Sequence, residues 1–322
     1  MYKVVRYSYK EKDTWDHFVK SSKNAAFLFL RDYMDYHRQR FIDHSLLIYK
    51  NNELKALLPA NEKGKTIITH EGLTFGGLLL SKDVSLFEVL FYLRNVLFYY
   101  SQLGYKELLY KCIPSFYHVL PSVEDRYGFF LLGAQLIRMD MSFVCSSRNI
   151  TLQKRRIRQI RKAEKNQITI RVDKLDVFWR TILEPNLKQR HGLKPVHSLK
   201  EIELLAKNFP LHIVQYNAYY QKDLVAGATM YINEKVAHAQ YIASNELGKK
   251  MGALDYLFYK LISENYRDKE WFSFGISDTH DGQKMNTGLM EWKEGFGAFA
   301  LPHYFYRVLT SNYSKLDTFL EQ

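Results

Sequence analysis

Apolar and polar positions in the first half of the chain predict short strands interrupted by one long helix. Apolar runs bounded by polar turns are typical of strands, whereas apolar residues three and four apart indicate a helix. On this basis we expect, in order, a helix at Thr14–Val19, strands at His44–Lys50, Leu54–Ala60, Lys65–His70 and Leu73–Leu80, a helix at Ser85–Leu103 and a strand at Glu107–Cys112.

The second half of the chain repeats this order. A polar turn at residues 221–223 occupies the same place as the turn at 51–53 in the first half. The elements predicted here are helices at Lys174–Leu183 and Leu199–Ala206, strands at His212–Tyr220, Leu224–Tyr231 and Val236–Ala243, a helix at Gly252–Asn265 and a strand at Glu270–Phe274. Two copies of one domain explain the repetition most economically.

The repeated unit predicts the fold class. A hairpin followed by a crossover helix implies a mixed sheet rather than a doubly wound parallel one. We therefore predict an α/β protein (an α+β mixed sheet), in which each domain has a mostly antiparallel sheet flanked by helices. The domains are placed at residues 1–147 and 148–322, joined near Cys145–Thr151. Neither half contains a clean G-x-G-x-x-G or P-loop motif.

Composition restricts the class of protein further. With 322 residues and 47% hydrophobic residues, the chain has too much apolar surface to be disordered. Its 46 Lys+Arg and 34 Asp+Glu leave 46 − 34 = +12, which indicates an anionic partner. Cys112 and Cys145 are too few for a disulfide scaffold or a four-thiolate metal site, so we expect reduced, buried thiols.

The N-terminus and the longest apolar stretch bear on localisation. The first residues lack the apolar region of a signal peptide. The stretch Ser85–Tyr100 contains Glu88 and Arg94 and is shorter than the roughly 20 residues of a spanning helix. We expect a cytoplasmic protein without a transmembrane segment.

A segment rich in glycine and lysine follows the strand Val236–Ala243. The first turn of a helix leaves its backbone N–H groups unpaired and carries the positive end of the helix dipole, so the segment is a candidate anion site. An ordinary glycine-capped loop fits the spacing equally well. The residues concerned are Gly248, Lys249, Lys250, Met251, Gly252 and Ala253.

This strand, basic loop and helix resemble the acyl-coenzyme A pyrophosphate loop of the GNAT N-acetyltransferases, whose pattern is Gln/Arg-x-x-Gly-x-Gly/Ala. Lys249–Leu254 keeps the basic residue and the central glycine but has Leu254 at the last position. The duplication resembles the FemAB-like, peptidoglycan aminoacyltransferase-related branch, in which two GNAT-type domains are fused. Phe272–Ala298 is similar to the Phe-Gly, Gly-Leu and Lys-x-x-x-Gly block of that branch, and Lys154–Lys165 to the basic helix that opens its second domain.

The resemblance implies an N-acyltransferase with its donor site in the second domain and a degenerate, acceptor-side first domain. An amine would attack the thioester of acyl-CoA, most simply acetyl-CoA, and the strand residues Tyr241, Ile242 and Ala243 would hold the pantetheine arm with the loop Gly248–Ala253. The acceptor implied is an amino-sugar or peptide precursor of the cell envelope.

Two alternatives to this function stay open. An aminoacyl-tRNA-dependent ligase is one, although Phe274-Gly275-Ile276-Ser277 replaces the Phe-Gly-Gly of many such ligases and no helical-arm segment is present, so we favour acyl-CoA. A non-catalytic RNA- or polyanion-binding protein is the other. DNA is not among the partners we expect.

Three residues are catalytic candidates. His238 is the first choice for a general base, because strand alternation places it on one face with Gln240 and Ile242 and imidazole titrates near neutral pH. A core or surface histidine without a catalytic role fits the same pattern. Asp255 is a secondary candidate, although an acidic residue early in a helix also suits the dipole. Ser277 follows a crossover strand, where site residues are commonly delivered, but it equally fits a turn.

Acceptor contacts are predicted in three places. The first is the loop between two predicted helices, with His191 and His197, which have no nearby cysteine or carboxylate pair and therefore do not indicate a metal site. The second is the glycine pair Gly76 and Gly77 with Tyr117 in the first domain, although a bulge or tight strand packing also explains the glycines and a proline-directed corner the turn at Tyr117.

The third place is the basic helix Lys154–Lys165. We expect Ile157 and Ile160 to mark its buried stripe and the charged residues, above all Arg158 and Arg161, to face a ligand. That ligand is a diphosphate acceptor such as a nucleotide-activated sugar or the backbone of tRNA, and a merely solvated face is the simpler alternative.

Overall fold

The computed structural model describes residues 2–279 and 281–321, without the side chains of Arg190 and His191. It divides into two compact units: unit 1 comprises Met1–Asp140 with Pro302–Gln322, and unit 2 comprises Met141–Leu301. The end of the chain thus lies in unit 1, whereas the boundary proposed from the sequence at 147/148 places it in the second domain.

The strands and helices are as follows, in chain order. The strands are β1 (Tyr2–Arg6), β2 (Ile42–Asp43), β3 (Leu46–Lys50), β4 (Glu53–Leu58), β5 (Asn61–Lys63), β6 (Thr66–Ile68), β7 (Leu79–Leu80), β8 (Glu107–Lys111), β9 (Gln135–Ser146), β10 (Thr169–Val172), β11 (Ile213–Tyr220), β12 (Asp223–Ile232), β13 (Val236–Ser244), β14 (Trp271–Ile276), β15 (Asp278–Thr279), β16 (Lys284–Met285) and β17 (Phe299–Leu309). The α-helices are α1 (Lys12–Ser21), α2 (Arg31–Met34), α3 (Leu86–Gln102), α4 (Glu124–Leu132), α5 (Lys154–Lys165), α6 (Leu175–Phe178), α7 (Glu184–His191), α8 (Leu199–Asn208), α9 (Glu246–Met251), α10 (Ala253–Lys260), α11 (Thr287–Glu294) and α12 (Asp317–Leu320). Two π-helical turns follow α6 and α10, at Trp179–Leu183 and Leu261–Asn265.

Unit 1 has a mixed sheet and a separate antiparallel one. Strands β1, β3, β4 and β7 form the antiparallel sheet, while β6 pairs in parallel with β8 and antiparallel with β5. Helix α3 begins at a capping box in which Ser85 and Glu88 satisfy each other's backbone N–H groups, as the sequence pattern Ser-x-x-Glu favours. Its buried residues pack against the sheet residues in one core.

Unit 2 is built on one mixed sheet. Strands β10 to β13 pair antiparallel in chain order, β13 pairs in parallel with β14, and β14 pairs antiparallel with β9. The predicted order of hairpin, strand, crossover helix and strand is confirmed in both units, and so is the mixed α/β fold class. This order brings the ends of β13 and β14 to one place in unit 2.

One predicted strand is wrong. Of Leu73–Leu80, only Leu79–Leu80 forms a strand. Gly77 has φ +99°, which ladder geometry does not allow, and a Cβ on Gly76 would lie 1.9 Å from the Thr69 carbonyl oxygen. The segment before β7 is therefore a tightly packed loop, which the apolar run in the sequence conceals.

The basic helix α5 has the predicted bounds but a different buried face. Arg156, Ile160 and Ala163 are buried, whereas Ile157 is only half-buried. Arg156 is buried because it pairs with the carboxylate of Asp255. Arg158 and Arg161 are exposed, as predicted.

Two further sequence expectations can be compared with the structure. Cys112 and Cys145 are both free and buried, as predicted. Within the described ranges, no helix combines the length and the apolar character needed to cross a bilayer.

Candidate functional site

The parallel strands β13 and β14 separate after a short stretch of pairing. They are paired only from Val236 with Trp271 to His238 with Ser273, although β13 continues to Ser244. Strand β14 instead follows β9, with an irregularity between Ser273 and Ile276. Beyond His238, this edge of β13 therefore has no strand partner among residues 2–279 and 281–321, and such an edge can hold an extended amide ligand.

A bulge in β13 lies at the same place. Thr229 of β12 pairs with Tyr241, but Met230 pairs with Ala239, so Gln240 is the extra residue. A bulge bends a strand and increases its twist, which re-aims the neighbouring side chains. His238, Gln240 and Ile242 are half-buried, while Ala239 and Tyr241 are buried.

His238 contacts a polar group where the strands separate. Its Nδ1 lies 3.0 Å from Ser273 Oγ. Because the Gly275 N–H donates to the same oxygen (3.3 Å), we assign the serine hydroxyl as the donor to His238. A Cβ on Gly275 would lie 3.3 Å from the His238 ring, so glycine leaves room for the imidazole. Gly275 has φ +71°, which also favours glycine.

Lys293 of α11 lies beside this pair. Its side chain is buried, with the amine donating to the carbonyls of Gly275 (2.9 Å) and Ile276 (2.6 Å) and lying 5.4 Å from the centre of the Phe143 ring. Desolvation lowers the pKa of Lys293 to about 7, against the opposing effect of Asp278. Lys293 therefore carries its proton in only part of the molecules at neutral pH.

The two basic groups influence each other. Desolvation lowers the pKa of His238 to about 4, and the charge of Lys293 contributes to this shift. His238 is therefore neutral at neutral pH and can accept a proton, while protonated Lys293 has a third N–H beyond the two that the carbonyls accept. A base and a hydrogen-bond donor thus lie side by side.

Lys293 was not among the residues singled out from the sequence. Its Lys-x-x-x-Gly spacing is visible there, but a helical lysine is usually solvated. The available signal is its position between Trp292 and Phe296, both of which pack on Phe274. A lysine within such an apolar cluster is a candidate for burial.

Ser277 follows directly on Ile276, whose carbonyl accepts from Lys293. Its side chain is buried, and its Oγ has no hydrogen-bond partner within the part of the chain that the structure describes. The next residue, Asp278, accepts a hydrogen bond from the Met141 N–H (2.7 Å). Ser277 therefore remains a candidate near Lys293.

Asp255 has a different setting from the one proposed. It is buried and accepts hydrogen bonds from Arg156 of α5 and from Trp292 Nε1 of α11, the latter at 3.1 Å. Desolvation raises the pKa of Asp255, and Arg156 opposes this shift. These partners join α5, α10 and α11 and support a structural role for Asp255, while its catalytic role stays a prediction.

The glycine-rich segment is a short helix rather than an open loop. Asn245 caps α9 by accepting from the Gly248 N–H (2.8 Å). A Cβ on Gly248 would lie 2.2 Å from the Val225 carbonyl oxygen, and one on Gly252 (φ +75°) would lie 2.4 Å from the Gln159 carbonyl oxygen. Packing therefore requires both glycines, and the expected free N–H donor at Gly248 is occupied.

The other residues of this segment differ in exposure. Lys249 pairs with Glu246, Lys250 is exposed, Met251 is half-buried, and Ala253 is buried at the start of α10. Among them, Lys250 is the cation best placed for a ligand in solution.

Replacing Gly248 by alanine is expected to lower the free energy of unfolding by about 1–3 kcal/mol, because the added methyl group would meet backbone. Urea denaturation measures this loss. Gly288→Ala in α11 is the matched control, since its Cβ would meet nothing closer than 3.8 Å; it should stabilise the helix by up to about 1 kcal/mol. Equal effects of the two variants would contradict this account of Gly248.

The structure joins two of the predicted binding residues. His197 lies close to Tyr241 of β13. The ring Nδ1 of His197 is 2.6 Å from the tyrosine hydroxyl, and the backbone N–H of His197 donates to the same oxygen (3.3 Å). Tyr241 also packs edge-on against Trp179, at 4.8 Å between ring centres. These contacts hold the segment between α7 and α8 against β13. The predicted contact His191 lies outside the described side chains.

In unit 1, the segment after β6 occupies the place that corresponds to the separation of β13 from β14 in unit 2. Parallel pairing of β6 with β8 ends at Ile68 and Leu109. The Lys111 N–H then donates to Thr69 Oγ1 (2.8 Å), and the Gly76 N–H donates to the Lys111 carbonyl (3.1 Å). Among the described residues of unit 1, the strand edge at this place is therefore not free as it is in unit 2.

The predicted acceptor residues of unit 1 lie around this loop. Gly77 lies against the Tyr110 hydroxyl, and the Tyr117 ring packs 4.6 Å from that of Phe75. Gly76 and Gly77 are thus required by tight packing.

Helix α5 carries exposed basic residues next to the glycine-rich segment. Helix α5 packs against α9 and α10. Arg158, Arg161 and Lys162 are exposed, and none of them pairs with an acidic group in the described ranges. Arg155, in contrast, donates to the Glu291 carbonyl (2.7 Å). The exposed residues provide a positive surface.

Comparison with known proteins identifies the fold. No protein-family model matches the sequence, and no curated protein matches it. Among solved structures, FemX is 12% identical and has a TM-score of 0.66, with 98% of this chain and 99% of FemX covered. L-PGS from Bacillus licheniformis is 12% identical (TM-score 0.59; 94% and 92% covered).

A tandem GNAT protein from the clavulanic acid biosynthesis pathway is similar over 96% of this chain and 99% of its own, at 10% identity and a TM-score of 0.53. The chain therefore has a tandem GNAT fold of the FemAB-like type, as the resemblance in its sequence predicted. At these identities the similarity shows the fold.

Proposed function

We propose that unit 2 transfers an acyl group, most simply acetyl, from acyl-CoA to an amino group of an amino-sugar or peptide precursor of the cell envelope. The observation that carries this proposal is the separation of β13 from β14. His238 and Lys293 lie where the two strands separate. An extended donor can lie along the free edge of β13, so that its acyl carbonyl reaches these two residues.

The reaction follows from the two basic groups. The amine nitrogen attacks the thioester carbonyl, and a carbon–nitrogen bond forms as the carbonyl oxygen becomes negative. Protonated Lys293 stabilises that oxyanion with its third N–H. Neutral His238 accepts the proton of the attacking amine. When the intermediate collapses, the carbon–sulfur bond breaks and the CoA thiolate leaves.

The phosphates of the donor are proposed to meet side chains rather than the glycine backbone. The Gln159 carbonyl oxygen faces Gly252, and the Asp255 carboxylate, paired with Arg156, lies in the first turn of α10, so hydrogen-bond acceptors already lie at that helix start. Arg158, Arg161 and Lys250 are exposed and positively charged. They are the candidate phosphate contacts.

The same surface favours a second candidate function, transfer from an aminoacyl-tRNA. A row of exposed cations suits a polynucleotide backbone, and the crowding at Gly252 weakens the case for a pyrophosphate site of GNAT type. The chemistry at His238 and Lys293 would be the same, because an ester carbonyl replaces the thioester.

Acyl transfer is tested by following CoA release from acetyl-CoA with a panel of amino sugars, nucleotide-activated amino sugars and peptides. We expect His238→Gln to lower kcat/KM by about 100-fold or more, because a positioned general base contributes that much. Arg158→Glu combined with Arg161→Glu should instead raise KM for the donor.

Lys222→Glu is the matched control, since this exposed lysine lies in the turn between β11 and β12. It should change neither constant. Transfer from aminoacyl-tRNA but from no acyl-CoA would establish the second candidate. RNA binding without transfer from either donor would overturn both in favour of a non-catalytic protein.

A further inference from the structure

Unit 1 contains a group of basic side chains that the proposed reaction does not use. His70 and His303 are 3% and 4% exposed. The Lys111 amine points inward and donates to the Leu73 carbonyl. Basic groups in such a setting lose hydration, and a partner of opposite charge normally offsets that cost.

These three groups lie close together. Desolvation lowers the pKa of Lys111 to about 7 and that of His303 to about 3. The Lys111 charge also contributes to lowering the pKa of both His303 and His70. The strands agree with this: Lys111 of β8 pairs with Phe305 of β17, and the His303 ring lies on the same face, 4.4 Å from the Phe305 ring. The Leu73 residue whose carbonyl accepts from the Lys111 amine donates its own N–H to the His70 carbonyl (3.1 Å), which brings the loop after β6 to the same place.

Two acidic residues of unit 1, one on the loop after β6 and one on β9, pair with other cations. Glu71 pairs with Lys63 (2.9 Å), and Asp140 pairs with Arg138 (2.7 Å). Within residues 2–279 and 281–321, His70 Nδ1 and His303 Nε2 have no hydrogen-bond partner. Buried polar atoms are rarely left unpaired, so these two nitrogens have hydrogen-bonding capacity for a bound group.

We propose that Lys111, His70 and His303 form a binding site in unit 1 for an oxyanion group, a carboxylate or a phosphate, of a small molecule. One such group can accept hydrogen bonds from the lysine amine and from both imidazoles when they carry protons. Its negative charge would favour the protonated forms, so binding takes up protons. The site is independent of acyl transfer in unit 2.

The test is a thermal-unfolding titration with inorganic phosphate or with acetate, at constant ionic strength maintained with chloride. The wild-type protein should show a saturable rise in Tm with at least one of the two anions. The effective anion tells which group the site takes. Isothermal titration in two buffers of different ionisation enthalpy should show proton uptake on binding.

Lys111→Met should weaken anion binding at least 10-fold and reduce the proton uptake. Lys106→Met is the matched control, because this lysine of the same segment is exposed, and it should bind as the wild type does. His303→Gln provides a second variant if Lys111→Met does not fold.

Absence of a saturable rise in the wild type with both anions would overturn the proposal. An equal rise in Lys111→Met would also overturn it, as a non-specific effect of the ions. Neither result depends on whether acetyl-CoA is a substrate, so failure of this site and failure of the proposed activity are distinguishable.

Discussion

Lys293→Met is expected to lower kcat/KM for acyl transfer by about 100- to 1,000-fold, the usual effect of removing one donor to a developing oxyanion. The reason is that Lys293 is buried beside His238 and has a third N–H beyond the two that the Gly275 and Ile276 carbonyls accept. The measurement is the rate of CoA release with the best acceptor of the panel.

Lys284→Met, an exposed lysine of β16, is the control and should keep full activity. Circular dichroism should show both variants folded. Full activity of folded Lys293→Met would contradict the role proposed for this lysine, even if the fold and the donor were as described.

The pH dependence of the unfolding free energy of Lys293→Met tests the burial of Lys293 independently of its role in catalysis. The pKa of Lys293 is lowered to about 7 in the folded protein from 10.5, so between these values the unfolded state binds more protons. Stability therefore rises with pH in this window, by about 1.4 kcal/mol per pH unit for one lysine. Between pH 7.5 and 9.5, Lys293→Met should lose that part of the slope, as measured by urea denaturation, whereas Lys284→Met should keep it.

Much of the fold was predictable because its elements are locally encoded. The capping box at Ser85, the continuous apolar pattern of α3 and the charged face of α5 all place helices within a residue or two of their observed bounds. The strands of each hairpin were predictable for the same reason. Their repetition then gave the tandem architecture.

The features that the sequence does not determine depend on contacts distant in sequence. Gly76, Gly248 and Gly252 resemble loop glycines, but their roles are set by the carbonyls of Thr69, Val225 and Gln159. The boundary between the units could not be read locally, since residues 302–322 return to unit 1. Lys293 and Asp255 show the same limit, because only tertiary packing decides which charged residue of a helix is buried.

The buried pair of Arg156 and Asp255 is expected to have the largest effect on stability. Breaking such a pair leaves one charge uncompensated, so Arg156→Met should lower the free energy of unfolding by about 3–5 kcal/mol. Adding Asp255→Asn should recover part of this loss, since the amide is neutral and its oxygen still accepts from Trp292 Nε1. Urea denaturation of the single and double variants gives the coupling energy.

Arg155→Met is the control on the same helix. Arg155 lies 3.4 Å from Glu291 and both side chains are partly exposed, so its loss should cost no more than about 1 kcal/mol. Asp255→Asn alone distinguishes the two roles considered for this residue. If Asp255 acts only through Arg156 and Trp292, the folded fraction of this variant keeps a kcat close to that of the wild type. A loss of 100-fold or more per folded molecule would return Asp255 to the catalytic group, because a structural pair affects how much enzyme is folded rather than how fast the folded enzyme reacts.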